Sequence, residues 1–244
     1  MGAFYLISGN EDFSIKERAN DLIRELCGDA QEDNPGLEII RGDTENEKFS
    51  AVFARLMDSL ETPSFLSAEK VVWLKHFNRF DEALAEASTK KKKSRIDLLS
   101  DFLKDGLPQD VTLVIDGPGL DRRKAFYKLC EKVCASSGGE LFWFEKSDPK
   151  SKGYEAQLLR RIKEQALNAG LRMDDSAVGY MAETIGGDAA RLKNEMDKLI
   201  CYVGPSSKEI TIGTAGRFAA AVLKRWHGSF PMLWLKKRRL RHCR

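Results

Sequence analysis

The residues best placed for chemistry lie in the first predicted turn between a strand and a helix, where nucleotide-binding proteins hold phosphate groups. A Walker A loop has the pattern GxxxxGK(S/T), which supplies backbone N–H groups, a lysine for the terminal phosphates and a hydroxyl for magnesium. With Gly9 as the first glycine, the later positions fall on Ser14, Ile15 and Lys16. None of these three residues is the glycine, the lysine or the Ser/Thr that the pattern requires, so we interpret the turn as a degenerate phosphate loop.

Acidic residues argue further against ATP binding here. Glu11 and Asp12 would place negative charge beside the phosphates, and a helix N-terminus offsets only about 0.3–1 kcal/mol per charge. A second candidate, Val111–Asp116, ends in the acidic residue of a metal-binding Walker B strand, but Gly117 and Pro118 follow. We interpret it as a core strand. We expect no catalytic residues, no cofactor and no metal site.

A third segment, Thr62–Leu66, allows two interpretations, core packing or protein binding. Thr62 and Pro63 precede Ser64, Phe65 and Leu66, so two large apolar residues follow a proline turn and stand just before a predicted strand. Such a pair is most often part of the core. The alternative is an exposed wedge that enters a pocket of a partner, as interface hot spots do.

Composition indicates a globular protein with an uneven charge distribution. Of the 244 residues 42% are apolar and 32% charged, and no apolar run reaches the roughly 18–20 residues of a membrane span. No secretory signal is evident, so we expect a cytoplasmic protein without membrane contact. Nine basic and no acidic residues follow Glu209, whereas residues 1–209 carry 31 basic and 37 acidic residues.

Hydrophobic periodicity predicts an α/β domain followed by a helical one. Short apolar runs alternate with helical spacing through residue 146, which is typical of a parallel sheet with crossover helices. A polar cluster with Pro149 begins a second segment, 147–212, in which the pattern predicts three short helices. Residues 213–244 form a basic tail without a predicted helix. The strands are predicted at Ala3–Ile7, Leu37–Arg41, Lys70–Leu74, Val111–Ile115 and Glu140–Phe144.

Several segments in the same order resemble the delta subunit family of bacterial DNA polymerase III clamp loaders. The opening Phe4–Phe13 is similar to that family's first strand and degenerate phosphate loop, and Leu60–Leu66 with the strand after it is similar to its clamp-contacting segment. Leu120–Lys124 and Gly186–Leu199 match later landmarks. The resemblance covers about 210 residues.

The resemblance implies a Rossmann-like AAA+ domain of the P-loop NTPase type over 1–146, which binds the clamp, and a helical lid domain over 147–212. It implies that Phe65 and Leu66, beside Ser64, enter a pocket of the sliding clamp and open its interface for loading on primed DNA during replication. The implied partners are the clamp, the other clamp-loader subunits and DNA within the complex. Polymerase chemistry, a nucleotidyl transfer, would belong to the holoenzyme.

The basic tail departs from the family. A collar domain, through which the subunits assemble, would follow residue 212, and residues 213–244 do not resemble it. The gain of Arg, Trp and His there suggests a change of reading frame in the gene or an unusual terminus. Two alternative functions remain open: a P-loop nucleotidase or kinase, and a nucleic-acid-binding module in which the tail contacts phosphates and Trp226 and Trp234 stack on bases.

Overall fold

The chain divides into two compact units, Met1–Lys146 and Ser147–Arg244. The computed structural model describes residues 2–28, 34–44, 47–64, 67–89, 93–204 and 209–216. Two of the predicted features therefore lie outside the described residues: the apolar pair Phe65 and Leu66, and the tail from residue 217 onward.

In the described part of the first unit, five strands are connected by five helices, two of which lie between the third and fourth strands. All the strands pair in parallel, in the spatial order β2-β3-β4-β1-β5. Parallel neighbours need a long crossover between them, which is why a helix stands in each connection. The strands are β1 (Phe4–Gly9), β2 (Leu37–Arg41), β3 (Lys70–Lys75), β4 (Val111–Pro118) and β5 (Leu141–Phe144), and the helices are α1 (Asp12–Cys27), α2 (Phe49–Glu61), α3 (Phe80–Thr89), α4 (Arg95–Asp105) and α5 (Ala125–Ser137).

Both faces of the central strands β1, β3 and β4 are largely buried, which explains the nearly continuous apolar runs in these strands. Successive side chains alternate between the faces: Leu113 and Ile115 belong to the larger core, beneath α2, α4 and α5, whereas Val114 lies in the smaller core beneath α1. Ile15 and Ile23 of α1 are fully buried against that second face. The sheet is thus a rigid platform for the loops at its two edges.

The two segments singled out by the sequence lie at opposite edges of the platform. Gly9 ends β1 at the carboxyl edge, between the ends of β4 and β5. Helix α2 runs back from the end of β2 to the start of β3, so Thr62–Ser64 and Lys70 lie at the amino edge. A contact at one edge can therefore be made without involving the other.

The second unit is a small helical module with one short pair of strands. Its helices are α6 (Tyr154–Asn168), α7 (Asp175–Ile185) and α8 (Ala189–Val203), and β6 (Arg172–Met173) pairs in parallel with β7 (Glu209–Ile210). Asp188 caps α8, where its side chain accepts a hydrogen bond from Arg191 N. The core of the second unit contains Ile162, Met181, Leu199 and, after the third helix, the fully buried Ala215.

The predicted α/β class with a parallel sheet is confirmed, and each of the five predicted strands is present. Three described features were not predicted from the sequence: α3, whose buried Phe80 and Ala83 give a weak periodic signal, the β6–β7 pair of two-residue strands, and the helical residues 212–216. The last of these corrects the expectation that the tail from residue 213 begins without a helix, because Ala215 is fully buried in the core of the second unit. No helix within the described ranges is long and apolar enough to cross a membrane.

Candidate functional site

The turn between β1 and α1 packs tightly against the end of β5. The backbone N–H groups of Asn10 and Glu11 both donate to Phe144 O, at 2.9 and 3.3 Å, and Asn10 Oδ1 accepts from Lys146 N. Gly9 has φ +141°, and a Cβ atom there would lie 1.8 Å from Phe144 O. The glycine is therefore required by this close approach, whatever the turn binds.

The groups that would face phosphates at this turn are occupied by the protein itself. Glu11 is the N-cap of α1, and its carboxylate accepts a hydrogen bond from Ser14 N at 2.9 Å. Lys16 Nζ is held 2.7 Å from Asp12 Oδ2 on the surface of the same helix. The structure places the predicted positions Gly9, Ser14 and Lys16 at the end of β1 and in the first turns of α1, where the carboxylates of Glu11 and Asp12 lie at the helix N-terminus.

The carboxylate of Asp116, at the end of β4, is fully buried, and its hydrogen bonds stabilise the fold. It accepts hydrogen bonds from Trp73 Nε1 at 2.7 Å and His76 N at 3.1 Å, and lies 2.8 Å from His76 Nδ1. His76 has φ 57°, so this carboxylate fixes the turn that leaves β3. Within the described residues no group of His, Cys, Asp or Glu could hold a metal ion.

At the amino edge the residues on both sides of the apolar pair are held by hydrogen bonds. Ser64, the third predicted site residue, is half-buried, and its Oγ accepts from Ser67 N at 3.1 Å. This hydrogen bond joins the two described residues on either side of positions 65 and 66. Phe65 and Leu66 themselves lie outside the described residues.

A buried lysine joins this turn to the sheet. Lys70, at the start of β3, has a side chain only 8% exposed, and its Nζ donates to Ser59 O at 2.7 Å and to Thr62 O at 3.0 Å. The same ammonium lies 2.9 Å from Glu38 Oε2, which also accepts from Ser59 Oγ at 2.6 Å. Burial raises the pKa of Glu38, but the hydrogen bonds from Ser59 and Lys70 and the charge of Lys70 outweigh it, so the pKa is lowered.

The loop from β4 to α5 carries exposed basic residues that contacts with neighbouring side chains hold in place. Arg122 lies over the rings of Tyr127 and Trp143, at 5.7 and 5.5 Å from their centroids. Arg123 donates to Asp121 through both its backbone and its guanidinium, and these bonds, the guanidinium first, lower the pKa of Asp121 to about 2. The loop resembles neither a catalytic nor a metal-binding arrangement.

The family model for DNA polymerase III, delta subunit, matches residues 5–137, which is more than half of the chain and includes both the β1–α1 turn and residues 62–66. The chain belongs to this family. The resemblance found in the sequence motifs is thereby confirmed. No curated protein sequence matches the chain.

Solved structures extend the comparison of this delta-family chain beyond residue 137. The Bacillus subtilis DNA clamp loader delta protein (YqeN) is similar, with a TM-score of 0.60 and 15% identity over 89% of this chain. A Thermotoga maritima RuvB Holliday junction branch migration motor matches 91% of this chain with 14% identity and a TM-score of 0.44. The chain spans 58% of the length of the B. subtilis protein and 62% of the RuvB chain. The similarity to the B. subtilis protein shows that the two chains share a fold.

Sequence reasoning singled out the β1–α1 turn of this delta-family chain but missed Lys70. A lysine at the first position of an apolar strand usually remains in solvent, so only its contacts with Ser59 and Thr62 distinguish it.

Proposed function

We propose that this chain acts as a clamp-loader delta subunit, which binds the sliding clamp and stabilises its open form. The observation that carries the proposal is the family match over residues 5–137, which includes the segment that the clamp would contact. The fold shared with the B. subtilis clamp loader delta protein supports it. The contacts of Glu11 and Lys16 support a subunit that works without binding ATP.

We assign the clamp contact to Phe65 and Leu66, with Ser64 beside them. Aromatic anchors that enter a partner pocket contribute much of the binding energy at protein interfaces. The described residues on either side of this pair, Thr62–Ser64 and Lys70, lie at the amino edge of the sheet, and the β1–α1 turn lies at the opposite edge. A clamp bound beside them would leave that opposite edge free for other subunits.

Binding of this chain opens the clamp only if its affinity for the open clamp is higher than its affinity for the closed clamp. A partner shifts a conformational equilibrium by its differential affinity and by nothing more. Moving a ring from about 1% to about 99% open would require roughly a 10⁴-fold preference for the open form. Contacts with the other clamp-loader subunits and with primed DNA, and any part in polymerase activity, would belong to the assembled complex in the cytoplasm.

The proposal is tested by measuring the affinity of the purified chain for the sliding clamp of the same organism. We expect the Phe65→Ala, Leu66→Ala variant to bind at least about 100-fold more weakly, because each anchor is worth roughly 2 kcal/mol or more at a hot spot. Circular dichroism must show that the variant is folded.

A matched control truncates two exposed leucines elsewhere, Leu98 on α4 and Leu167 on α6, which are 41% and 66% exposed. The Leu98→Ala, Leu167→Ala variant should retain wild-type affinity. A folded wild-type chain without affinity for the clamp would refute the proposal, and ATP binding or salt-dependent DNA binding would then favour the two alternative functions.

A further inference from the structure

We infer that Lys70 is a positioning residue for clamp binding: its buried ammonium group fixes the carboxyl end of α2 and so holds the turn that leads into Phe65 and Leu66. The inference rests on the proposed function for the role of that turn in binding. Its structural part, the fixing of the turn, depends only on contacts among described residues.

The ammonium group of Lys70 has a partner for each of its three donors. It donates to the carbonyl oxygens of Ser59 and Thr62 and pairs with the carboxylate of Glu38, all within 3.0 Å. A lysine side chain that is only 8% exposed is stable when its charge is compensated in this way. The arrangement is therefore specific, because the loss of any one partner would leave the buried ammonium charge incompletely compensated.

Lys70 supplies what the end of α2 lacks. The last four carbonyl groups of a helix have no partner inside the helix, and positive charge is favourable beside them. The last turn of α2, Asp58–Glu61, contains no Lys or Arg, and Pro63 follows its C-cap Thr62. The cation from β3 therefore completes the helix end that precedes Ser64.

The other side of the turn is held against the sheet as well. Val71 N donates to Gly36 O at 2.8 Å, and a Cβ atom on Gly36 would lie 2.5 Å from Glu69 O. Lys70 N in turn donates to Asp110 O at 2.8 Å, beside the start of β4. With the Ser67–Ser64 bond, both flanks of Phe65 and Leu66 are tied to β3 through Lys70 and its neighbours.

Fixing the flanks in the free protein lowers the cost of binding. Ordering the backbone of one residue costs about 1–2 kcal/mol, and a segment that is already ordered does not incur this cost on association. Removing the Lys70 contacts should release the helix end and the turn, so we expect the affinity for the clamp to fall about 10-fold.

The test compares Lys70→Met with Lys75→Met in the full chain. Lys75 is at the other end of β3, where its Nζ lies over the Trp73 ring, so the control makes the same substitution on the same strand. Hydrogen exchange of the free protein reports on the turn without any clamp. We expect the amides of Thr62 and Ser67 to exchange faster in Lys70→Met alone, while the amides of β1 and β4 keep their protection.

The clamp affinity is then measured for the same proteins and for Lys70→Arg. We expect a loss of about 10-fold for Lys70→Met, no loss for Lys75→Met and partial recovery with Lys70→Arg, since a guanidinium can still donate to the two carbonyls. Unchanged exchange at Thr62 and Ser67, or protection lost throughout the sheet, would overturn the positioning role. A wild-type chain that does not bind the clamp would refute the proposed function alone, because the exchange result would stand.

Discussion

Two thiols on α5 lie deep in the larger core and should be chemically inert. Cys130 and Cys134 are 0% and 2% exposed, and burial, as the main cause, raises the pKa of Cys134 to about 12 and that of Cys130 well above its ordinary value. Only the thiolate reacts with alkylating reagents. Their positions one helical turn apart thus reflect packing against the sheet.

We predict that iodoacetamide at pH 8 labels the exposed Cys201 at least about 100-fold faster than Cys134, because roughly one Cys134 thiol in 10⁴ is ionised at that pH. Peptide mass spectrometry after timed quenching measures both rates in one sample. Similar rates would mean that the core around α5 opens frequently.

The carboxylate of Glu38 makes stability depend on pH at the amino edge. Its pKa is lower in the folded chain than in the unfolded one, so its contribution is present above the unfolded value of about 4.3 and is lost as the pH falls through the folded value. The side chain is 48% exposed, and solvent screening limits the effect to about 0.5 kcal/mol.

We therefore predict that Glu38→Gln loses less stability than the wild type when the pH is lowered from 6 to 3. Urea unfolding at the two pH values, followed by circular dichroism, gives the difference. Since all other carboxyl groups are common to both proteins, an equal loss would show that Glu38 is not ionised more readily in the folded state.

At the scale of elements, the β1–α1 turn is fixed by its packing on β5. An alanine at Gly9 would combine an unfavourable backbone conformation with a clash between its Cβ and Phe144 O. We predict that Gly9→Ala costs about 3 kcal/mol or more and lowers the Tm by roughly 6–12 °C.

Gly138, the C-cap of α5, provides the control for this prediction. It has φ +73°, and a Cβ atom there would have no neighbour within 4 Å. Gly138→Ala should therefore cost only about 1–2 kcal/mol, the conformational part of the effect. Equal losses of Tm for the two variants, measured by differential scanning calorimetry, would contradict the close approach at Gly9.

The sequence predicted the elements whose residues fill the core and missed those that do not. The central strands β1, β3 and β4 could be found because Val, Ile, Leu and Phe run continuously when both faces are buried. The outer strands β2 and β5 are more exposed, and they could be found from short runs of β-forming residues. Helix α3 contributes small residues such as Ala83, and β6 and β7 are too short to show a period of two. The network of Lys70, Ser59 and Glu38 joins three separate elements, and no local pattern connects residues so far apart in the chain.

For the whole molecule, the proposed opening of the clamp would have a measurable signature. If this chain stabilises an open clamp, part of its binding energy is used to break the clamp's own interface. A clamp variant whose interface is already disrupted needs no such energy. By linkage, the preference for that variant is a lower limit on the factor by which the chain shifts the closed ring toward the open one.

We predict that the chain binds an interface-disrupted clamp at least about 10-fold more tightly than the intact ring, as measured by calorimetry or surface plasmon resonance. The Phe65→Ala, Leu66→Ala variant should lose affinity for both. Equal affinity of the wild type for the two clamps would mean that the chain binds the clamp without opening it.

The position of β1 in the sheet also bears on how the chain folds during synthesis. β1 is translated before the other strands of the sheet, yet it pairs with β4 and β5. Phe4 can therefore pair with Leu113 only after 109 more residues have been synthesised. At about 5–20 residues per second the ribosome needs roughly 5–20 s to supply that partner.

Nascent chains arrested before residue 118 should accordingly be digested by protease within β1, whereas chains extended past residue 146 and clear of the exit tunnel should resist. Until then an apolar strand is available to chaperones, and the first unit can close only when nearly all of it has left the ribosome.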